Sequence, residues 1–176
     1  MSEFQPMGLQ DLLDTLEGVP YKEGRDDCYG LVRKFYSLAY DIHLRNYARP
    51  GDFAYAGVNL ISWYFKEEGF KIVDVAHDRL QIGDVLLMRI GNRCPHINHL
   101  AVAVEASRIL HHVVDAPSVA ERMNTTWSRR IMGVVRHPDV FALNQGVMPR
   151  TTIDQFLPEA VIHARQKLIK PVGPDA

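Results

Sequence analysis

Leu9, Leu12, Leu13 and Leu16 recur at the i, i+3, i+4, i+7 spacing that sets apolar side chains on one face of a helix, and Gly18 follows as its stop signal. Residues 18–24 carry two glycines and a proline and read as a loop. A second helix is expected from near Cys28, because Leu31, Val32, Phe35, Leu38 and Ala39 form one apolar stripe while Arg33, Lys34 and Ser37 face away. Asp26 or Asp27 stands where a cap belongs. A third helix is predicted over Val58 to Glu68, with Leu60, Ile61, Tyr64 and Phe65 inward and Gly69 ending it.

From residue 71 the period changes. Lys71 to Val75, Asp84 to Met88, Asn98 to Val104, Ile109 to Val114 and Ile131 to Arg136 are short β-branched or alternating stretches separated by turn residues. Helices followed by an antiparallel sheet make an α+β domain, expected over residues 1–140. The strand pattern stops after Pro138. Thr151 to Ile169 reads as one more helix ending before Pro171, so residues 141–176 form a C-terminal helical tail that either docks on a partner or closes the core.

Composition narrows the function. A chain of 176 residues with 47% hydrophobic content suits one domain and one site. The formal charge is −1 with both signs interspersed, which leaves no basic field for nucleic acid. No run approaches the ~18 apolar residues of a membrane span, so no membrane insertion is expected. The start Met1-Ser2-Glu3-Phe4-Gln5-Pro6 lacks the pattern of a secretion signal, and the expectation is synthesis in the cytoplasm. In that reducing compartment Cys28 and Cys94 are expected as free thiols.

A thiol attacks a carbonyl only as thiolate, and a helix N-terminus favours that ion; Cys28 stands at such an end. Gly30, two residues on, allows close approach of substrate or a strand. The plain alternative is a small buried residue in a helix. A nucleophilic cysteine also needs a base and a third group to orient it. His99 and the pair His111-His112 offer both. His99, Ala101 and Ala103 share one strand face, with room for a substrate, opposite Leu100, Val102 and Val104. An odd loop centred on Glu105 would set His111 across from His99, whereas a two-residue loop at Glu105-Ala106 would set His112 there; the second lacks the usual tight-turn residues. Cys94, His96 and His99 also offer zinc donors, though C-x-H-x-x-H matches no standard zinc spacing. No metal or cofactor is expected. His43, His77, His96, His137 and His163 show no comparable grouping.

Gly18-Val19-Pro20-Tyr21, Asp27-Cys28-Tyr29-Gly30-Leu31-Val32, Leu80-Gln81-Ile82-Gly83-Asp84-Val85, Asn98-His99-Leu100-Ala101-Val102 and Ile109-Leu110-His111 together resemble the NlpC-type cell-wall peptidases in order and spacing, over roughly residues 7 to 137. The resemblance implies a papain-like fold, with Cys28 as nucleophile, His99 as base and His111, rather than His112, as the orienting residue. It also implies that Tyr21 contributes to the oxyanion site and that Asp27 contacts substrate, against the plainer readings of a packed loop ring and a helix cap. The implied substrate is a peptidoglycan stem peptide.

Tyr29 stands where many members carry Ser, and Ile82 where many carry Pro. The first departure resembles the branch found in bacteriophage tails. That branch implies a virion tail protein, with other tail-tip proteins as partners, acting at the host periplasm and wall to assist genome entry; residues 141–176 would then be a docking segment. The alternative is a structural tail-assembly protein that keeps the fold with little catalysis, Tyr29 narrowing the groove beside Cys28. A cytoplasmic enzyme of the same fold acting on other amides is weaker, because permuted relatives place their histidine motifs before the cysteine.

Overall fold

In the computed structural model, which describes residues 6–48, 59–74, 80–91, 95–105 and 107–143, helix α1 (Leu9–Leu16) buries Leu12, Leu13 and Leu16 as the leucine spacing predicts. Gly18, at φ 72°, turns the chain out of the helix in the left-handed region that glycine tolerates. Buried Ser118 ties down this exit: its hydroxyl donates to Leu16 O at 2.6 Å and accepts from Val19 N at 2.9 Å. The loop that carries Tyr21 is therefore anchored at its start.

Helix α2 (Cys28–Tyr40) begins at the cysteine. Of the two candidate caps, Asp27 is the one used, accepting from Gly30 N at 2.7 Å and from Gly24 N at 2.9 Å. Asp26 instead pairs with Arg25 and Lys34. A Cβ built on Gly30 would lie 1.9 Å from the carbonyl oxygen of Arg25, so the loop before Cys28 folds back against the helix where only glycine fits. Gly30→Ala is expected to cost about 1–3 kcal/mol of stability, read from the urea midpoint, because backbone rather than a flexible side chain must give way. An unchanged midpoint would mean that this loop is not held against the helix.

Helix α3 (Leu60–Glu67) is capped by Asn59 and buries Ile61, Tyr64 and Phe65; Val58, the expected start, lies outside the described residues. The strands are β1 (Lys71–Ile72), β2 (Val85–Met88), β3 (His99–Glu105), β4 (Arg108–His111), β5 (Val119–Arg122) and β6 (Ile131–Arg136), with the short helix α4 (Thr125–Ser128) before β6 and α5 (Pro138–Leu143) after it. They form one sheet in the order β1-β6-β2-β3-β4-β5, antiparallel throughout. This is the α+β class expected, with the N-terminal helices packed on an antiparallel sheet.

Several boundaries differ from the sequence reading. β1 ends at Ile72, though Val73 N still bonds Val134 O at 2.9 Å. β4 stops at His111 rather than Val114, because the chain turns there, with Asp115 in the left-handed region at φ 60°. β5, α4 and α5 have no counterpart among the predicted elements. Val140 of α5 is fully buried against the core. The helix expected over Thr151 to Ile169 lies outside the described residues, as do His77, Cys94 and His163.

Alternation along the strands divides the core. Val85, Leu87, Leu100, Val102, Val104 and Leu110 join the residues of α1, α2 and α3, whereas Leu86, Met88, Ala101, Ala103, Ile109, Ile131 and Val134 form a second cluster with Met123. The alanine face of β3 is thus packed rather than open, and the room for substrate expected there is absent. The hairpin register also differs: His111 pairs with Ala101, not His99, and Glu105 pairs with Arg108. A shift of two residues keeps the parity, so His99 and His111 remain on one face as diagonal neighbours.

Candidate active site

Cys28 is half-buried at the first turn of α2, where the partial positive charge of the helix end favours a thiolate. It lines a cleft together with Tyr21, Glu23, Asp27, Tyr29, Ile61, Asn98, His99, His112 and Val114. Chain segments far apart in sequence meet here: the 18–24 loop, the start of α2, the start of β3 and the turn after β4.

His99 opens β3, and its backbone is held by the residue before it. The Asn98 side chain accepts from Ile90 N and donates to Ile90 O, both at 2.8 Å, while Asn98 N bonds Met88 O at 3.0 Å. The ring of His99 is 4% exposed and its Nε2 lies 3.0 Å from Nδ1 of His111. His111 is fully buried, and its Nε2 lies 2.8 Å from Oε1 of Glu121. Trp127 packs on both rings, nearly parallel to His99 and at 77° to His111, and Arg130 lies over its indole at 4.9 Å.

Burial, more than the neighbouring His111 and Arg130, pushes His99 down to about 3. Burial also lowers His111, against the opposing pull of the Glu121 carboxylate. Both rings are therefore neutral near pH 7, and His99 with Nε2 engaged toward His111 keeps Nδ1 for another partner. Tyr21 is raised to about 12, first by burial and then by Asp27 and Cys28, so its hydroxyl keeps its proton. Such an arrangement has a thiol, a neutral imidazole and a hydroxyl donor around one cleft.

The same burial carries a pH dependence. A histidine lowered in the folded state excludes a proton that the unfolded chain accepts below about 6.5. Its contribution to stability is whole above that pH and is lost as pH falls toward 3. For His99 the loss between pH 7 and pH 5 is expected to be about 2 kcal/mol, and His111, His112 and His137, all lowered chiefly by burial, act in the same direction. Urea unfolding at the two pH values should show the fall, and His99→Gln should lessen it while the other three histidines keep their share. An equal slope in that variant would show that protons reach His99 without unfolding.

Of the residues singled out from sequence, Tyr21, Asp27, Cys28 and His99 share the cleft, while His111 stands behind His99. Asp27 caps α2 with both carboxylate oxygens and still borders the cleft. Tyr29 is buried beside Tyr64 and Phe65 with its hydroxyl donating to Arg45 O at 3.0 Å, so the departure from Ser is absorbed largely by the core. His112 faces the helix side, edge-on to Tyr21, with centroids 5.5 Å apart. Glu121, Trp127 and this role of His112 escaped the sequence reading; an acidic residue ten positions after His111 signals nothing until β5 is known to pair with β4. Among the described residues no group of three or more His, Cys, Asp or Glu is arranged to hold a metal, and no helix is long and apolar enough to cross a membrane. Cys94 of the zinc alternative lies outside those residues.

Comparison with known proteins agrees with the sequence motifs. The chain is 34% identical over 122 residues to tail tip assembly protein K of Escherichia phage lambda, covering 69% of this chain and 59% of that protein. It is 28% identical over 145 residues to tail tip assembly protein K of Escherichia phage N15, covering 77% and 53%. The chain thus spans little more than half the length of these relatives. Among solved structures, a protein from Staphylococcus aureus described as similar to a lipoprotein of the NLP/P60 family aligns with TM-score 0.49 at 20% identity, over 73% of this chain and 39% of that one. The NlpC/p60 domain of the peptidoglycan hydrolase SagA aligns with TM-score 0.44 at 17% identity, over 73% and 96%. The model of the NlpC/P60 family matches residues 18–136, a span that includes Tyr21, Asp27, Cys28, His99 and His111, and the chain belongs to that family.

Proposed function

We propose that this chain is a cysteine endopeptidase of a phage tail tip that opens peptidoglycan stem peptides. The observation that carries the reading is the cleft shared by Cys28, at the positive end of α2, and His99, whose ring is tied to His111. In this reading the Cys28 thiol gives its proton to Nδ1 of His99 as sulfur attacks the scissile carbonyl carbon. The helix end and the Tyr21 hydroxyl stabilise the oxyanion. Collapse breaks the C–N bond, with His99 passing its proton to the leaving amine, and leaves a thioester on Cys28. Water, deprotonated by His99, then releases the acid and restores the thiol.

The tail location and the wall substrate rest on the family and on the likeness to the two K proteins. The test is turnover: the purified chain incubated with peptidoglycan should release new amino termini. Iodoacetamide near neutral pH should label Cys28 well ahead of Cys94 and stop the release together. A folded, fully reduced protein that releases none would defeat the assignment. That result would favour the second reading, a tail-assembly protein without turnover, which the near-complete burial of His99 supports.

Residues 141–176 extend beyond the family match, and their proposed role is docking on other tail-tip proteins. Deleting residues 144–176 should then lower incorporation into particles at least about tenfold while leaving the folded domain intact, as judged by immunoblot of purified virions and by circular dichroism. Unchanged incorporation would remove the docking role.

A further inference from the structure

The hydrogen bond between His99 and His111 does not by itself say which ring donates, since a neutral imidazole has one donor and one acceptor nitrogen. If His111 Nδ1 carried the proton, His99 Nε2 would be the acceptor and its proton would sit on Nδ1, the nitrogen needed to receive a proton from a thiol. The base would then be blocked. Nothing within the pair prevents this. What breaks the symmetry lies on the next strand, outside the residues that the sequence motifs single out.

We infer that Glu121 of β5 is the positioning residue that sets the tautomers of both histidines and so makes His99 a base. A carboxylate only accepts, and Oε1 of Glu121 lies 2.8 Å from Nε2 of His111. The His111 proton is therefore on Nε2, and its Nδ1 holds a lone pair. That lone pair accepts from His99 Nε2–H across 3.0 Å, which leaves His99 Nδ1 bare. The order is set from the sheet edge inward: carboxylate, orienting imidazole, base. A carboxylate that holds a histidine by its far nitrogen is the logic of a catalytic triad, extended here by one member.

The surroundings supply what such a chain needs. His111 is fully buried, so solvent does not compete for either nitrogen, and Trp127 covers both rings. The β4–β5 register pairs His111 with Val119 and Ile109 with Glu121, which makes Glu121 a diagonal neighbour of His111 on the same sheet face. When His99 takes up a proton, the Glu121 charge also lies at the far end of the same hydrogen-bonded line to offset it.

The inference rests on the reading of Cys28 and His99 as nucleophile and base, but its first readout does not need turnover. Long-range ¹H–¹⁵N correlation spectra of the full chain near pH 7 report which nitrogen of each histidine is protonated. The wild-type protein should show His111 and His99 both protonated at Nε2. Glu121→Ala should give a mixture of tautomers at His111 and at His99, whereas Glu121→Gln, whose amide oxygen can still accept, should restore most of the wild-type pattern. Peptidoglycan turnover should fall about tenfold to a hundredfold in Glu121→Ala, through kcat rather than KM, and recover in Glu121→Gln. Protonation of His111 at Nδ1 in the wild type, or spectra unchanged by Glu121→Ala, would overturn the inference. Tautomers that shift in a protein without turnover would uphold the role of Glu121 and sink the hydrolase reading instead.

Discussion

Cys28→Ala is expected to bring peptidoglycan turnover down to background, a fall of at least about a thousandfold, with the unfolding midpoint nearly unchanged. The kinetic effect is large because the proposed route goes through a covalent thioester, and no other side chain at the α2 terminus can supply the sulfur. Asp27, the neighbour toward the loop, is engaged as cap by two backbone N–H groups, and Tyr29 is buried among aromatic rings. The effect on stability is small because Cys28 is only half-buried and its replacement removes one sulfur from the edge of a cleft. Release of amino termini by matched amounts of both proteins, with circular dichroism as the control, checks it. Turnover within tenfold of wild type in Cys28→Ala would place the nucleophile elsewhere.

Arg136→Ala should have the largest effect on stability, a loss of about 3–5 kcal/mol from a total that for such domains is about 5–15. Asp84 is fully buried, and the guanidinium of Arg136 grips it with Nε at 2.6 Å from Oδ1 and Nη2 at 2.8 Å from Oδ2. The same carboxylate accepts from Gln81 N at 2.7 Å and so shapes the turn into β2. Gly83 in that turn sits at φ 89°, and its carbonyl accepts from the buried Tyr36 hydroxyl of α2. Removing the guanidinium leaves a carboxylate without its counter-charge in the interior, which costs far more than the pair contributes when whole. Arg136→Lys keeps the charge but not the two-pronged grip, and should fall between. Urea unfolding at neutral pH measures all three proteins; a loss below about 1 kcal/mol in Arg136→Ala would mean that water reaches Asp84.

The two predictions differ in how far the chain itself disclosed them. Cys28 stood out because a reactive residue at a helix start has a local cause, readable from the apolar stripe after it and the aspartates before it. Asp84 was read as the first residue of a strand and as part of a family motif, with no sign of its ion pair, since its partner is 52 positions away. The choice between Asp26 and Asp27 as cap was open for a related reason. Either could reach the helix N-terminus, and Asp26 is drawn off by Lys34 one helical face away.

Local pattern determined more than the bare list of elements. The leucine spacing of α1, the stripe of α2 and the alternation of β3 each depend on side-chain direction within a few residues, and they follow from helix and strand periods alone. Which of His111 and His112 shares the face of His99 was not legible on that ground, since it turns on the hairpin loop; the family resemblance favoured His111, which keeps to that face in a register two residues away from the expected one. Tertiary structure alone decided the rest: that the alanine face of β3 is packed, that Val119–Arg122 is a strand, that Trp127 covers the histidines and that Glu121 ends their hydrogen-bonded line. Those features join segments that are short, or that carry no period of their own, and their energy comes from partners brought close only when the sheet is complete. A four-residue strand or helix turn has too few positions to announce itself, and so it takes its place from its neighbours.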